Sequence, residues 1–212
     1  MKGLELEVLG VEVERYAAVP TLSFRVRLEE PDHGKVHAVL LRTQVRIEPE
    51  RRSYGPAERD GLVELFGQPS QWSGSLHPFL WAELATCVGP FQGATEVALP
   101  MAVSYDLEVA AGRYLQGLRG GEVPLVLLFS GTVFRVHDGR PLVEPIPWQA
   151  EGRLGLPRSV WEEAMDRFYP GSGWIRLPRT TIDALGEYKA RGALATWDEA
   201  VRSLLRAAEV PQ

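Results

Sequence analysis

Alternation between apolar and polar residues dominates the first fifty positions. Every second residue is apolar along residues 22–28, and one face of residues 36–48 is apolar throughout. The other face of residues 36–48 begins apolar, with Val36, Ala38 and Leu40, and ends polar, so we expect this strand to start covered on both faces and to end with one face in water. A period of two is typical of strands with one buried face, so we expect antiparallel strands in both segments and at residues 4–13. Gly10 interrupts the alternation, which predicts two short strands or one bulged strand at residues 4–13.

Two helices are expected between the early and the late strands. Pro56 can occupy a first helical position, so residues 57–66 are predicted as a short helix that ends at Gly67. A second helix is predicted over about 77–88, because apolar residues recur at every fourth position. The residues of this repeat are Leu76, Leu80, Leu84 and Val88.

The period of two returns after residue 94. We expect one strand over residues 95–109, a short helix over about 110–118 and a central strand over 123–136, the most apolar segment. Asp138-Gly139 is a hairpin turn signal, after which the chain returns at 142–148. Two prolines in this last strand cannot donate ladder hydrogen bonds, which places it at a sheet edge.

Helical signals follow residue 152. A capping box at Ser159, a threonine at 180 or 181 and a second capping box at Thr196 predict the starts of three helices, and Gly192 ends the second. The residues of the last helix that are expected to face inward are Ala200, Val201, Leu204, Leu205 and Ala208.

These elements predict an α+β fold, mainly an antiparallel β-sandwich with inserted short helices and a C-terminal helical segment packed on it. Crossover helices do not follow the strands regularly, which disfavours parallel βαβ units. We expect residues 1–152 to form the sandwich, with the helical insertion at about 56–89. Residues 153–212 form the helical segment of the same domain, since such short helices cannot bury a core of their own.

Composition narrows the class of protein. Of the 212 residues, 45% are hydrophobic and 24% are charged, with a net charge of −5, which is typical of a globular chain and not of a nucleic-acid binder. One cysteine excludes an internal disulfide and a Cys-rich metal site. We see no apolar run that could span a membrane and no signal peptide, so the expected location is cytoplasmic.

Motifs for catalysis are absent from the sequence. The four histidines, His33, His37, His77 and His137, lack metal-ligand spacing, and no phosphate loop or nucleophile elbow is present. Cys87 is interpreted as a small buried residue near the end of the second helix. Asp106 and Glu108 are interpreted as the solvated face of a strand. We therefore predict no catalytic residue, no cofactor and no metal.

An arginine group lies within residues 42–59. Its members are Arg42, Arg46, Arg51, Arg52 and Arg59. They could bind a phosphate or an acidic partner. Acidic residues are interleaved with them, however, so we favour a face that neutralises itself.

Three tryptophans lie in predicted loops or at an edge: Trp72, Trp148 and Trp174. Tryptophan is enriched at the anchor points of protein interfaces, so these residues are the candidate interface. The alternative is that they pin their loops and the C-terminal helices to the sandwich.

Several sequence blocks carry a resemblance to a known family. Among them are Tyr16-Ala17-Ala18-Val19-Pro20-Thr21-Leu22, Pro78-Phe79-Leu80-Trp81, Ser104-Tyr105-Asp106-Leu107-Glu108-Val109-Ala110-Ala111, Leu128-Phe129-Ser130-Gly131-Thr132-Val133-Phe134 and Ser172-Gly173-Trp174. The chain resembles a mainly actinobacterial family of unknown function that is often encoded near uptake nickel–iron hydrogenase genes. The resemblance spans nearly the whole chain and implies an accessory role in that setting.

A second, local likeness covers about a tenth of the chain. Residues 76–83, Leu-His-Pro-Phe-Leu-Trp-Ala-Glu, are similar to a helix of the SecB export chaperone. The additional strands and the C-terminal helices depart from SecB.

The leading hypothesis is that the chain is a non-catalytic binding or assembly accessory protein with a protein partner. The resemblance alone implies that it acts in hydrogenase maturation or assembly. One alternative is a small-molecule binder or enzyme with a pocket between the sandwich and the C-terminal helices. In that pocket His37, His137, Asp106 or Glu108 would converge. Another alternative is a SecB-like chaperone with an exposed apolar groove.

Overall fold

The computed structural model describes residues 3–32, 34–103, 105–137, 140–172, 175 and 177–209, with the side chains of 105–110, 137 and 209 left aside. The strands are β1 (Glu5–Val13), β2 (Thr21–Glu29), β3 (Lys35–Ile47), β4 (Phe79–Val88), β5 (Phe91–Gln92), β6 (Ala94–Ala102), β7 (Glu122–His137), β8 (Arg140–Pro145) and β9 (Glu151–Pro157). The helices are α1 (Pro56–Phe66), α2 (Trp72–Ser75), α3 (Tyr105–Gly117), α4 (Arg158–Phe168), α5 (Arg179–Arg191) and α6 (Trp197–Glu209).

One antiparallel sheet has three strands in the order β1-β2-β6. Its middle strand β2 places Leu22, Phe24, Val26 and Leu28 in the core, as the alternation predicts. The β1–β2 register shifts between Val8 and Gly10, so the predicted bulge is confirmed.

The second antiparallel sheet is built around β3 and β7. Its path is β4-β3-β7-β8, while β5 also pairs with β3 and β9 also pairs with β7. Both central strands lie close to their predicted positions, and β8 lies at the end of the path, as its prolines indicate. Both sheets contribute to one hydrophobic core, through Phe24 and Leu99 from the first and Leu41 and Leu127 from the second. The predicted α+β fold with antiparallel sheets is therefore confirmed.

The predicted helix at 77–88 is wrong, because this segment forms β4. It pairs with β3 residue by residue, from Val39 opposite Val88 to Ile47 opposite Phe79. Trp81 is buried, and its aromatic ring suits a strand. The apolar spacing that favoured a helix is thus overridden by pairing with a distant strand. Residues 76–83, which are similar to a SecB helix, therefore contain no helix in this protein.

The predicted strand at 95–109 is too long. Strand β6 ends at Ala102, where its partner β2 begins at Thr21. Val103 N still donates to the Pro20 carbonyl at 2.7 Å, but the β2–β6 ladder ends here and α3 starts at Tyr105. Asp106 and Glu108 therefore lie in a helix and not on a strand face, and their side chains lie outside the description.

The chain does not turn helical at 152, since β9 occupies Glu151–Pro157 and pairs with the first half of β7. The predicted capping box at Ser159 is wrong as well. Helix α4 begins at Arg158 after Pro157 and has no side-chain cap. Trp161 and Ala164 of α4 are buried, and this helix packs against β1, β2 and β9, as expected of a helix packed on the sheets.

The chain forms two compact units, residues 1–170 and residues 171–212. The first holds β9 and α4 in addition to the predicted sandwich. The second contains α5 and α6, and the Thr196 capping box at the start of α6 is confirmed, since Glu199 N donates to Thr196 Oγ1 at 3.1 Å. Gly192 ends α5. Of the residues of α6 expected to face inward, Ala200 is buried, but Val201, Leu204, Leu205 and Ala208 are exposed.

Candidate functional site

Trp72 is not available to a partner. Its indole N–H donates to the Gly67 carbonyl at 2.9 Å, and its ring lies 5.2 Å from the ring of Tyr54 and 6.2 Å from that of Phe66. The side chain is buried. We therefore remove Trp72 from the candidate interface, because its ring holds the short helix α2 against the core.

The other two predicted interface tryptophans differ in what the structure shows. Trp148 lies between β8 and β9 and is 87% exposed, so it is accessible, and its role in an interface stays a prediction. Trp174 lies outside the described residues.

Arg52 forms the most connected polar cluster near Trp72. Its guanidinium donates to the Glu122 carbonyl at 2.8 Å, to the Gly120 carbonyl at 2.8 Å and to Glu58 Oε1 at 2.6 Å. Both charged side chains are nearly buried. This Arg52–Glu58 pair joins α1 to the turn before β7.

Glu58 has further partners in the same cluster. Its carboxylate accepts the N–H groups of Gly55 at 3.0 Å and Arg119 at 2.8 Å. Burial acts to raise the pKa of Glu58, but these two N–H groups and Arg52 together hold that pKa below its usual range. Every contact of the carboxylate is internal, so the pair is suited to holding the fold and not to proton transfer.

Tyr54 and Tyr114 complete the cluster from inside. Tyr54 donates its hydroxyl proton to the Pro49 carbonyl at 2.7 Å, so the hydroxyl of Tyr114, 2.8 Å away, must be the donor to Tyr54. Burial raises the pKa of both hydroxyl groups. They are thus neutral hydrogen-bonding groups of the core. Sequence patterns offered no signal for this pairing of residues sixty positions apart.

The predicted arginine group is only partly self-neutralised. Arg51 lies 3.5 Å from Glu48, and Arg52 pairs with Glu58, as expected. Two other members donate to backbone carbonyl groups. Arg42 is exposed and has no ion pair or side-chain hydrogen bond within the described part of the chain.

Arg42 lies on the outer face of the six-stranded sheet, which is the face turned away from the core. Next to it, Gln44 donates to Glu83 at 2.8 Å across the β3–β4 ladder. A cavity of about 420 Å³ opens here, lined by Arg42, Thr43, Gln44, Glu83, Leu84, Ala85 and Ser130. Arg42, Gln44, Glu83 and Ser130 make this half of the outer face the more polar one, although Leu80, opposite Arg46, is 47% exposed here.

The other half of the outer face is apolar. Leu40, Val136 and Val143 are 50%, 56% and 58% exposed, so the expectation that β3 starts covered on both faces is wrong at Leu40. Phe134, which is half-buried, pairs with Val143 across β7 and β8, and Thr132 pairs with Leu40. Paired and diagonal residues of neighbouring strands touch, so these side chains form one continuous surface. We call Leu40, Cys87, Phe134, Val136 and Val143 the apolar patch.

Cys87 belongs to this patch, which corrects its interpretation as a buried residue. It lies on β4 directly opposite Leu40 and carries an exposed free thiol. The predicted helix had placed it on the wrong kind of element. In a strand, its position relative to Leu40 sets the face on which it lies.

The backbones of β3 and β7 approach each other closely at Gly131, next to Leu40 of the apolar patch. Gly131 has φ +140°, and a Cβ added there would clash with the Leu40 carbonyl oxygen. The sequence predicted either a bulge or a close approach to the backbone at Ser130-Gly131. The structure confirms the close approach.

The structure does not show the histidine and carboxylate constellation of the enzyme alternative. His37 and His77 are exposed, the former on β3 and the latter before β4. His33, and the side chains of His137, Asp106 and Glu108, lie outside the described residues. Among the described residues, no group of three His, Cys, Asp or Glu side chains could hold a metal ion. None of the described helices is both long and apolar enough to cross a membrane.

A family profile described as a family of unknown function (DUF6084) matches residues 1–212. The chain belongs to this family. No curated protein matches the DUF6084 chain. Among solved structures, a late embryogenesis abundant (LEA) protein is similar at 12% identity and a TM-score of 0.33, covering 76% of each chain.

Two other structures are similar to parts of the DUF6084 chain. β-Glucosidase 3B from Thermotoga neapolitana is 14% identical, with a TM-score of 0.25, over 72% of this chain and 17% of the glucosidase. An adhesin from Mobiluncus mulieris is 12% identical, with a TM-score of 0.26, over 74% of this chain and 57% of the adhesin. At these TM-scores the similarities support no conclusion about fold or function.

Proposed function

We propose that this DUF6084 protein is a non-catalytic binding protein that holds a protein partner on its apolar patch. The continuous exposure of Leu40, Val136 and Val143 on one sheet face carries the proposal. Isolated apolar residues are normal on a surface, whereas contiguous ones mark an interaction site.

Charge beside the patch indicates the chemistry of the partner. Arg42 follows Leu40 by two residues on β3, so both side chains point outward from the same face, about 7 Å apart. An unpaired arginine next to an apolar surface suits a partner that has an apolar anchor flanked by a carboxylate. The family resemblance suggests a cytoplasmic setting in hydrogenase maturation or assembly for this partner.

The single cysteine provides a direct test. Cys87 lies within the patch, so a photoreactive crosslinker on its thiol should trap the partner in extracts of the native host. The trapped protein is then purified and its affinity measured. Leu40→Asp and Val143→Asp should each weaken binding at least tenfold, because each places a charge in the desolvated interface.

Val19→Asp is the matched control, since Val19 is 46% exposed in the loop before β2 and lies outside the patch. Its affinity should equal that of the wild type. Equal binding by the Leu40 and Val143 variants would overturn the proposal. Crosslinking to many unrelated unfolded chains would instead favour the chaperone alternative.

A small-molecule binder is the second candidate, favoured by the cavity of about 420 Å³ at the polar half of the outer face. Arg42, which has no ion pair among the described residues, gives this cavity a cation for a carboxylate or phosphate. Inorganic phosphate and small carboxylates should then raise the melting temperature, and Arg42→Ala should remove that shift. Absence of any shift would exclude this candidate for these ligands.

A further inference from the structure

The apolar patch alone is too small for a standard protein interface. Along the strands it extends from the level of Leu40, which pairs with Thr132, to Val136, and across the sheet it extends from β4 to β8. Four residues at about 3.4 Å and three strand spacings of about 4.8 Å give an area of roughly 200 Å². A standard interface buries roughly 800 Å² on each partner. A partner that binds specifically to the patch must therefore also contact the surface beside it.

The same outer face continues along β7 to Glu122. Side chains alternate along a strand, and Val123, Leu125 and Leu127 are buried, so the even-numbered residues from Glu122 to Val136 point outward. The distance from Glu122 to Val136 along the strand is about 47 Å. At the width of the patch, this length gives roughly 650 Å², which approaches the area of a standard interface. We call this surface, from the patch to Glu122, the outer strip.

Glu122 supplies a negative charge at the far end of the outer strip. Its carboxylate lies over Gly155 of β9, where an added Cβ would clash with it. Gly155 pairs with Pro124, so its open side belongs to the outer face. The missing side chain of Gly155 thus leaves room for the carboxylate on the strip. Among the described residues, this carboxylate has no ion pair and no hydrogen bond.

The cavity beside Glu122 leaves its charge unmatched. The cavity has a volume of about 280 Å³, and its lining includes Glu48, Arg51 and Arg153. Glu48 Oε2 lies 3.5 Å from Arg51 Nε and 3.2 Å from Arg153 Nε. Arg153 also pairs with Glu151. The two arginines are thus balanced by two other carboxylates, so a basic group that enters the cavity can pair with Glu122.

Arg42 and Glu122 set the direction of a partner on the outer strip. Arg42 pairs with Ser130 of β7, and the path along β7 from there to Glu122 is about 27 Å. Leu40 of the patch lies on the other side of Arg42. On the basis of the proposed function, we propose that the partner places an apolar anchor on the patch, a carboxylate at Arg42 and a basic side chain at Glu122, in this order. Opposite charges at two separate points fix the register of an interface.

A second copy of this chain does not match the outer strip. A two-fold axis along the strands would place Arg42 beside Arg42 and Glu122 beside Glu122, which are like-charged contacts. An axis across the strands matches Arg42 with Glu122 only where it passes near Val126. The patch of each copy then lies opposite the turn before β7 of the other, outside the sheet. The charges on the strip therefore favour a different protein as the partner.

The protein that is trapped at Cys87 and then purified is the probe for this inference. Arg42→Gln and Glu122→Gln should each bind it about fivefold more weakly than the wild type, since exposed charge pairs contribute modestly. Glu122→Lys should bind at least tenfold more weakly, because it creates a like-charged contact. Both glutamine variants should also show a weaker dependence of affinity on salt, which a purely structural role of Glu122 would not produce.

Glu12→Gln and Arg25→Gln are the matched controls. Both residues are exposed and lie on the three-stranded sheet, away from the outer strip. Their affinity and its salt dependence should equal those of the wild type. Urea unfolding of Glu122→Gln should match that of the wild type, so that any loss of affinity belongs to the interface.

The same measurements separate this inference from the proposed function. Weaker binding by Leu40→Asp, together with unchanged binding by Glu122→Lys, would retain the partner site and overturn its extension to Glu122. Unchanged binding by both variants would overturn both proposals. Tighter binding by Glu122→Lys would place an acidic group of the partner at this end and refute the order of charges. Recovery of no specific protein at Cys87 would overturn the proposed function and this inference with it.

Discussion

Replacement of Arg52 by methionine should destabilise the fold by about 3 kcal/mol, the lower end of the cost of breaking a buried ion pair. Methionine retains the apolar stem and removes only the guanidinium. The loss includes the contact with Glu58 at 2.6 Å and two hydrogen bonds to carbonyl oxygens. Because Arg52 is 12% exposed, water can partly replace it, which keeps the cost near that lower end.

Urea unfolding followed by tryptophan fluorescence measures this cost. Arg42→Met is the matched control, since Arg42 is exposed and has no described ion pair, so its effect should stay within about 0.5 kcal/mol. A double-mutant cycle with Glu58→Gln should give a coupling of at least about 1 kcal/mol. A loss below about 1 kcal/mol in Arg52→Met would refute the structural role of the pair.

Acidic pH should reduce the difference in unfolding free energy between the wild type and Arg52→Met. The pKa of Glu58 is lowered in the folded chain, so its stabilising charge is fully present above the unfolded pKa of about 4.3 and is lost as the pH falls through the folded value. The difference in unfolding free energy should therefore shrink below about pH 4. A difference that is constant down to pH 2 would contradict this linkage.

Three further predictions concern single positions. Gly131→Ala should cost about 3 kcal/mol in urea unfolding, because φ is +140° and the Cβ would meet a backbone oxygen, whereas Gly74→Ala, with open space around it, should not destabilise. Tyr114→Phe should lower the unfolding free energy by about 1 kcal/mol, because it removes the hydroxyl that donates to Tyr54, while Tyr54 still donates to the Pro49 carbonyl. An unchanged unfolding free energy would refute the assignment of Tyr114 as the donor. The Cys87 thiol should react with Ellman's reagent in the native chain within about threefold of the rate in urea, since it is exposed, and strong protection would contradict its place on the outer face.

The clearest sequence predictions concern segments whose pattern allowed only one element. Residues 22–28 and 36–48 alternate over many positions, and Glu122–His137 is too rich in branched and aromatic residues to suit anything but a central strand. The Thr196 capping box is local, so its prediction needed no partner. These elements follow from forces that act within a few residues of one another.

The errors lie where a distant strand decides the local structure. Residues 79–88 carry apolar residues at helical spacing, and only the ladder with β3 makes them a strand. Residues 105–109 continue the alternation of β6, yet β2 has ended, so the chain leaves the sheet. Propensity is a weak prior in both cases, because pairing and burial contribute more free energy.

The sequence by itself determined the class of the fold, the central strands and the family to which the chain belongs. Tertiary structure alone decided the candidate site. Leu40, Cys87, Phe134 and Val143 lie on four strands, and only the strand register brings them together on one face. A one-residue shift of that register would turn every such side chain to the other face, and register depends on pairing between segments far apart in sequence.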